Sequence, residues 1–147
     1  MACQTCHIPT YARYGDTEVV RDWTAPAWKA SLLGGQGGYE PGRTVGTNLV
    51  PTYAWFDGTS RIYIPGQAPE TNDAAEVVLA APNGSVGSLE SKIYPMKEHR
   101  ANAARLDSTG ELIAHSTLTY FTTGSFGEAV QAGMDQLGLV GPWSSVT

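Results

Sequence analysis

Two cysteines and a histidine lie within the first seven residues, in the order Cys3-Gln4-Thr5-Cys6-His7. Two thiols separated by two residues and followed at once by an imidazole form the pattern that attaches haem c. On one helical turn each thiol can reach one vinyl group of the porphyrin and form a thioether, while the adjacent imidazole binds the iron. The spacing therefore predicts that Cys3 and Cys6 attach haem c and that His7 is its axial ligand.

Other chemistries can use the same side chains. A disulfide across so short a loop would constrain little of the unfolded chain. A zinc site needs four ligands, and the sequence has only His99 and His115 to add to this cluster. A thioredoxin-like redox pair would follow a buried strand, and no strand can precede residue 3. A haem-free or zinc-binding interaction module stays open as an alternative at this point.

A haem iron with six ligands needs a second axial side chain. His115 follows the apolar run Leu112-Ile113-Ala114, which would carry it into the interior, so we predict it as an axial ligand to this haem or to a neighbouring one. His99 lies in a charged stretch that is typical of a solvated histidine. Met134 falls on an apolar stripe and is predicted as a core side chain. The remaining candidates are Met96 and Lys29.

Length and charge exclude several classes of protein. The 147 residues suit one domain, and the formal net charge of -5 comes without a cluster of Lys or Arg. A nucleic-acid partner would require a basic stripe, so none is expected. No apolar run approaches the about 20 residues of a membrane span. The 17 glycines and 9 prolines interrupt regular structure and disfavour long helices.

The elements that must position these residues are short. We predict an α+β chain with much irregular structure, organised around haem, with β-hairpins and one amphipathic helix near its C-terminus. Asp57-Gly58 between aromatic segments predicts a hairpin, and Ser125 with Glu128 predicts a helix that ends at Gly138. The predicted segments are a haem-attachment region at 1–33, a Gly-rich loop at 34–50, the hairpin at 51–66, and a further hairpin plus the helix at 88–147.

Residues 2–13 resemble one haem-attachment segment of the octahaem c-type cytochromes of the tetrathionate-reductase type. Four further islands resemble this family in the family's order along the chain, at residues 21–24, 51–59, 91–97 and 128–134. The resemblance implies a periplasmic multihaem redox protein that passes electrons to other haems or cytochrome segments and to a redox partner protein. Because no export signal precedes Cys3, we expect this chain to be a segment of a larger exported protein.

The resemblance also raises the question of enzymatic activity. In the family one haem has a lysine ligand in a segment Asp-Trp-Ser-Lys, whereas this chain has Asp22-Trp23-Thr24-Ala25, without the lysine. The alternative to electron transfer is a reductase site acting on tetrathionate, nitrite or hydroxylamine, with Asp22 as a catalytic proton donor. Whether the chain contributes to an enzyme is therefore uncertain from the sequence, and an electron carrier is the leading hypothesis.

Overall fold

The computed structural model describes all 147 residues as a mixed α+β chain with small sheets and much irregular structure. The helices are α1 (Cys3–His7), α2 (Thr117–Thr123) and α3 (Phe126–Leu137), with one 3₁₀ turn at Leu33–Gly35. The strands are β1 (Thr17–Lys29), β2 (Gly38–Gly46), β3 (Thr52–Phe56), β4 (Ser60–Ile62), β5 (Glu70–Thr71), β6 (Val77–Val78), β7 (Ala80–Pro82), β8 (Lys92–Met96), β9 (Arg100–Ala101), β10 (Ala103–Leu106), β11 (Leu112–Ile113) and β12 (Trp143–Val146).

The longest strands, β1 and β2, form an antiparallel ribbon, and β9 pairs in parallel with the other edge of β1. The prediction of a Gly-rich loop over 34–50 is therefore wrong for most of its length. The pairing register shifts between Asp22 and Pro26, so β1 bulges at this point. Gly42 packs closely against the bulge: a Cβ at this position would lie 3.0 Å from the Cβ of Ala25. A glycine in a strand often marks such a close approach rather than a loop.

The predicted hairpin at 51–66 is also wrong, although both of its strands exist. β3 pairs with β8, with Trp55 opposite Ile93, and β4 pairs with β7. A tight hairpin turn of this type needs positive φ at both central residues, and only Gly58 has it, with φ 97°. The carboxylate of Asp57 instead accepts hydrogen bonds from the amide and the hydroxyl of Thr59, at 2.9 and 2.7 Å. This local turn sends β4 away from β3.

The core lies at the C-terminal end of the chain, where α3 packs against α2 and β11. Ser125 caps α3 by accepting a hydrogen bond from the Glu128 amide at 3.2 Å, and Gly138 ends the helix at φ 66°. These two predictions are confirmed, as is the burial of Met134. The reciprocal half of the capping box is absent, because the Ser125 amide donates to the Thr123 hydroxyl instead. In the same region β10 pairs with β11 on one edge and with β12 on the other.

Candidate haem site

The helical turn α1 carries the Cys-x-x-Cys-His pattern and is fastened to the edge of β8. The Ala2 amide and the Thr5 hydroxyl both donate to the carbonyl oxygen of Ile93, at 3.0 and 2.5 Å. Ala2 is buried, whereas Cys3, Cys6 and His7 are exposed. Positions three and four apart share one face of a helix, so the three exposed side chains project together from the face opposite the anchor.

Both cysteines are free thiols on this exposed face. No group of three or more His, Cys, Asp or Glu side chains in the chain is placed to hold a metal ion. The two thiols and the imidazole therefore do not converge on one point, as zinc ligands must. Two outward-facing thiols one helical turn apart, with an imidazole beside them, do fit a porphyrin, which takes up the sulfurs at separate vinyl groups. The donor set matches haem c rather than a bare metal ion.

His115 lies in the chain after β11, at the edge of the core. Its ring packs edge-on against Trp23, with 4.4 Å between ring centroids, and against Phe126 at 5.4 Å. Burial lowers the pKa of His115 below its usual 6.5, so the imidazole is neutral at pH 7, the form that binds iron. Its Nε2 atom is buried without a hydrogen-bond partner. A buried polar atom left without a partner costs about 1–3 kcal/mol, so a group that binds Nε2 would stabilise this region.

The structure does not bring His115 next to His7. α1 packs against β8, whereas the aromatic neighbours of His115 belong to β1 and α3. Iron binding at the His115 Nε2 also requires the side chains around this atom to move apart, because the atom has no solvent contact. The two histidines predicted as iron ligands therefore lie in different parts of the fold.

Asp22 stands at the start of the β1 bulge as a carboxylate acceptor. Its Oδ1 atom accepts from the hydroxyl and the amide of Thr24, at 2.6 and 2.8 Å, and from the side-chain amide of Asn102 at 3.0 Å. The Thr24 hydroxyl, more than any other group, lowers the pKa of Asp22 below its usual 3.8. A carboxyl group that stays ionised at neutral pH is a poor proton donor. The geometry makes Asp22 a positioning group for the bulge.

The other candidate ligands have structural partners. His99 is exposed, and its Nε2 lies 3.0 Å from Glu18 Oε1. Lys29 ends β1 in extended backbone and pairs with Glu40 at 3.1 Å. Met96 is half-buried on β8.

Sequence reasoning missed one unusual residue, Tyr120 on α2. Its side chain is fully buried, and its hydroxyl has no hydrogen-bond partner. Its ring packs edge-on against Trp23, with 4.9 Å between centroids, so Trp23 contacts both residues that carry an unpaired polar atom. Burial and the nearby charge of Asp22 raise the pKa of the phenol. No sequence signal separates this tyrosine from an ordinary core aromatic residue.

Comparison with known proteins gives two findings. The family described as "Cytochrome c bacterial" matches residues 42–145, most of the chain. The chain belongs to the bacterial cytochrome c family. The matched residues begin after α1, so this assignment does not depend on the Cys-x-x-Cys-His pattern. No curated protein matches the sequence.

The second finding is structural. The crystal structure of an octahaem cytochrome c from Shewanella oneidensis superposes with a TM-score of 0.77 over 99% of this chain, at 25% sequence identity. This cytochrome c spans only 37% of that chain. The predicted cofactor, haem c, and the general function, haem binding with electron transfer, are both supported by the family and by the structural relative. In the present chain, none of the three helices has the length and apolar character that a membrane crossing requires.

Proposed function

We propose that this chain holds haem c through thioether bonds from Cys3 and Cys6, with His7 as the proximal ligand. The bound haem supplies one-electron redox chemistry at its iron. The observation that carries the proposal is the exposed face of α1, which presents two free thiols and an imidazole together. The residues of the chain have two tasks: the sulfurs fix the position of the porphyrin, and the imidazole fixes one side of the iron.

The anchor of α1 supports this division of tasks. A covalent cofactor can be oriented only when the turn that carries it is itself fixed. The Ala2 amide and the Thr5 hydroxyl fix the turn through the single carbonyl of Ile93. The first of these bonds precedes Cys3, and the second lies between the two cysteines. Both thiols therefore start from a defined backbone position.

The test is expression in a bacterial strain that carries the machinery for cytochrome c maturation. We expect haem that resists acid-acetone extraction in the wild type and its loss in the C3A/C6A variant. The His7→Ala variant should keep the thioethers but lose its low-spin visible spectrum. His99→Ala is the matched control, because His99 is also an exposed histidine and its partner is Glu18. Haem that is fully extracted from the wild type would contradict the proposal.

We infer further that His115 is an axial ligand of a neighbouring haem rather than of the haem on α1. Two features support this inference: the unpaired Nε2 atom of a neutral imidazole, and its place among β1 and α3 residues, away from α1. Because this chain has one haem-attachment motif, the experiment is electron paramagnetic resonance of the larger multihaem protein of which we propose it is a segment, with all haems attached. The His115→Phe variant should convert one low-spin haem signal to high spin and leave the signal of the α1 haem intact. Unchanged spectra, or a change confined to the α1 haem, would contradict it.

The cellular setting and partners form part of the same proposal. Haem is attached to such motifs outside the cytoplasm, so we propose a periplasmic or otherwise exported protein. The octahaem relative supports a role beside other haems, with electrons passing to cytochrome segments and to a redox partner protein. The finer resemblance, to the tetrathionate-reductase type, rests on the sequence islands alone. Asp22 gives the reductase alternative no support, because its hydrogen bonds hold it as an acceptor.

A further inference from the structure

A short loop at residues 83–90 holds two apolar side chains in solvent. Leu89 is fully exposed, with 103% relative accessibility, and Val86 is 80% exposed. The loop lies between β7 and β8 and contains no other large apolar residue. Single exposed apolar side chains are common on protein surfaces. Two on one eight-residue loop next to a candidate cofactor site need an explanation.

The loop has a defined conformation in spite of this exposure. The Ser85 amide donates to the hydroxyl of the buried Ser91 at 3.2 Å, and the Ser88 amide donates to the Ser85 carbonyl at 3.3 Å. Gly84 approaches the backbone of Trp55 so closely that a Cβ would lie 2.8 Å from its carbonyl carbon. Ordering a loop costs conformational entropy, which burial of its apolar groups would normally offset. Within the chain, Leu89 and Val86 gain no such burial.

The loop and α1 meet the same end of the β3–β8 sheet. The loop leads directly into β8, and its support, Ser91, is two residues before Ile93. The carbonyl of Ile93 is the group that anchors α1. A porphyrin attached to α1 would be a flat apolar surface many times larger than one side chain. The 83–90 loop is the adjacent segment with unburied apolar groups.

We propose that Val86 and Leu89 cover part of the haem attached to α1 and shield it from water. This inference rests on the proposed attachment at Cys3 and Cys6. Ferric haem carries one more positive charge than ferrous haem, so water stabilises the ferric form more. An apolar cover therefore raises the reduction potential, because solvent exposure is one of the factors that set it.

The test compares two double variants of the haem-loaded protein. V86S/L89S removes the apolar cover. L118S/V140S is the matched control, with the same two exchanges at Leu118, on α2 and 67% exposed, and at Val140, after α3 and 83% exposed. All four side chains are exposed, so both variants should fold. Covalent haem is measured first, by its resistance to acid-acetone, and the midpoint potential is then measured by spectroelectrochemical titration.

We expect V86S/L89S to shift the midpoint potential to a lower value and to speed reduction by ascorbate, a small hydrophilic reductant, while L118S/V140S matches the wild type. A lower yield of attached haem in V86S/L89S than in the control would also support the cover. Equal potentials and equal reduction rates in all three proteins would overturn it and leave the attachment proposal standing. A wild type without covalent haem would overturn both.

Discussion

Gly133 and Gly127 both lie within α3, and their surroundings predict opposite responses to alanine. In a helix interior alanine is favoured over glycine by about 0.8–1.0 kcal/mol. At Gly127 nothing lies within 4 Å of the added Cβ. At Gly133 the added Cβ would overlap the carbonyl oxygen of Ala114 and lie 3.0 Å from the Cα of His115. The contact is with backbone, which yields less easily than the end of a flexible side chain.

The difference between the two variants isolates the packing cost at Gly133. Overpacking a well-packed site costs about 1–3 kcal/mol. Gly133 lies in the helix interior and Gly127 in the first turn, so alanine gains at least as much helix propensity at Gly133, and a lower stability of G133A reports its packing cost. We therefore expect G133A to be less stable than G127A by about 1–3 kcal/mol. For a chain of this size that is a gap of about 2–12 °C in Tm. G127A should match or exceed the wild type.

The assay is thermal and urea unfolding of the haem-loaded proteins, followed by circular dichroism. Near-ultraviolet spectra add a local readout, because moving residues 114–116 displaces the His115 ring, which packs on Trp23 at 4.4 Å. G133A should change this aromatic signal and G127A should not. A G133A protein as stable as G127A, with an unchanged aromatic spectrum, would refute the argument that α3 and the segment before α2 are in tight backbone contact.

Two further predictions concern Asp22 and the cap of α3. Thr24→Val removes the hydroxyl that does most to lower the Asp22 pKa, so a carboxyl titration by nuclear magnetic resonance should show that pKa rise towards 3.8. A lowered carboxyl pKa stabilises the fold above pH 3.8, and this contribution is lost as the pH falls through the folded-state value, so Thr24→Val should flatten the acid end of the stability profile. Ser125→Ala should cost about 1 kcal/mol in urea unfolding, and Ser125→Asp, which keeps a side-chain acceptor for the Glu128 amide, should restore most of it. A Ser125→Ala protein with wild-type stability would show that the cap contributes nothing.

The features that the sequence predicts well are those that depend on neighbouring residues. The N-cap of α3 and its terminal glycine act within one turn, and both appear in the structure. The Cys-x-x-Cys-His spacing is equally local, and the structure places all three side chains on one exposed helical face. In each case the interacting residues are at most four positions apart, so their spacing in the sequence is enough to predict how they are arranged.

The predictions that fail depend on distant partners. β3 pairs with β8, about forty residues further along the chain, and nothing local to Asp57-Gly58 indicates this pairing. β2 contains three glycines and a proline yet becomes a strand, because β1 supplies its hydrogen bonds and Gly42, without a side chain, leaves room for the β1 bulge. The unpaired atoms of His115 and Tyr120 likewise arise from packing around Trp23. Such features become visible only when separate segments are brought together.

Buried apolar residues are distributed unevenly between the two ends of the molecule, and the end that has fewer of them carries the proposed haem site. The hydrophobic core is a single cluster around Trp23, β10 and α3, and none of its nine buried members belongs to α1, β3 or β8. At the α1 end the aromatic residues Trp55, Phe56 and Tyr94 are only half-buried, and Leu89 is fully exposed. Burial of apolar surface is the main favourable contribution to folding, so the α1 end gains less stabilisation from its own side chains than the end that contains the core. A covalent porphyrin would supply apolar surface where the chain supplies least, which gives the haem a structural role as well as a redox role.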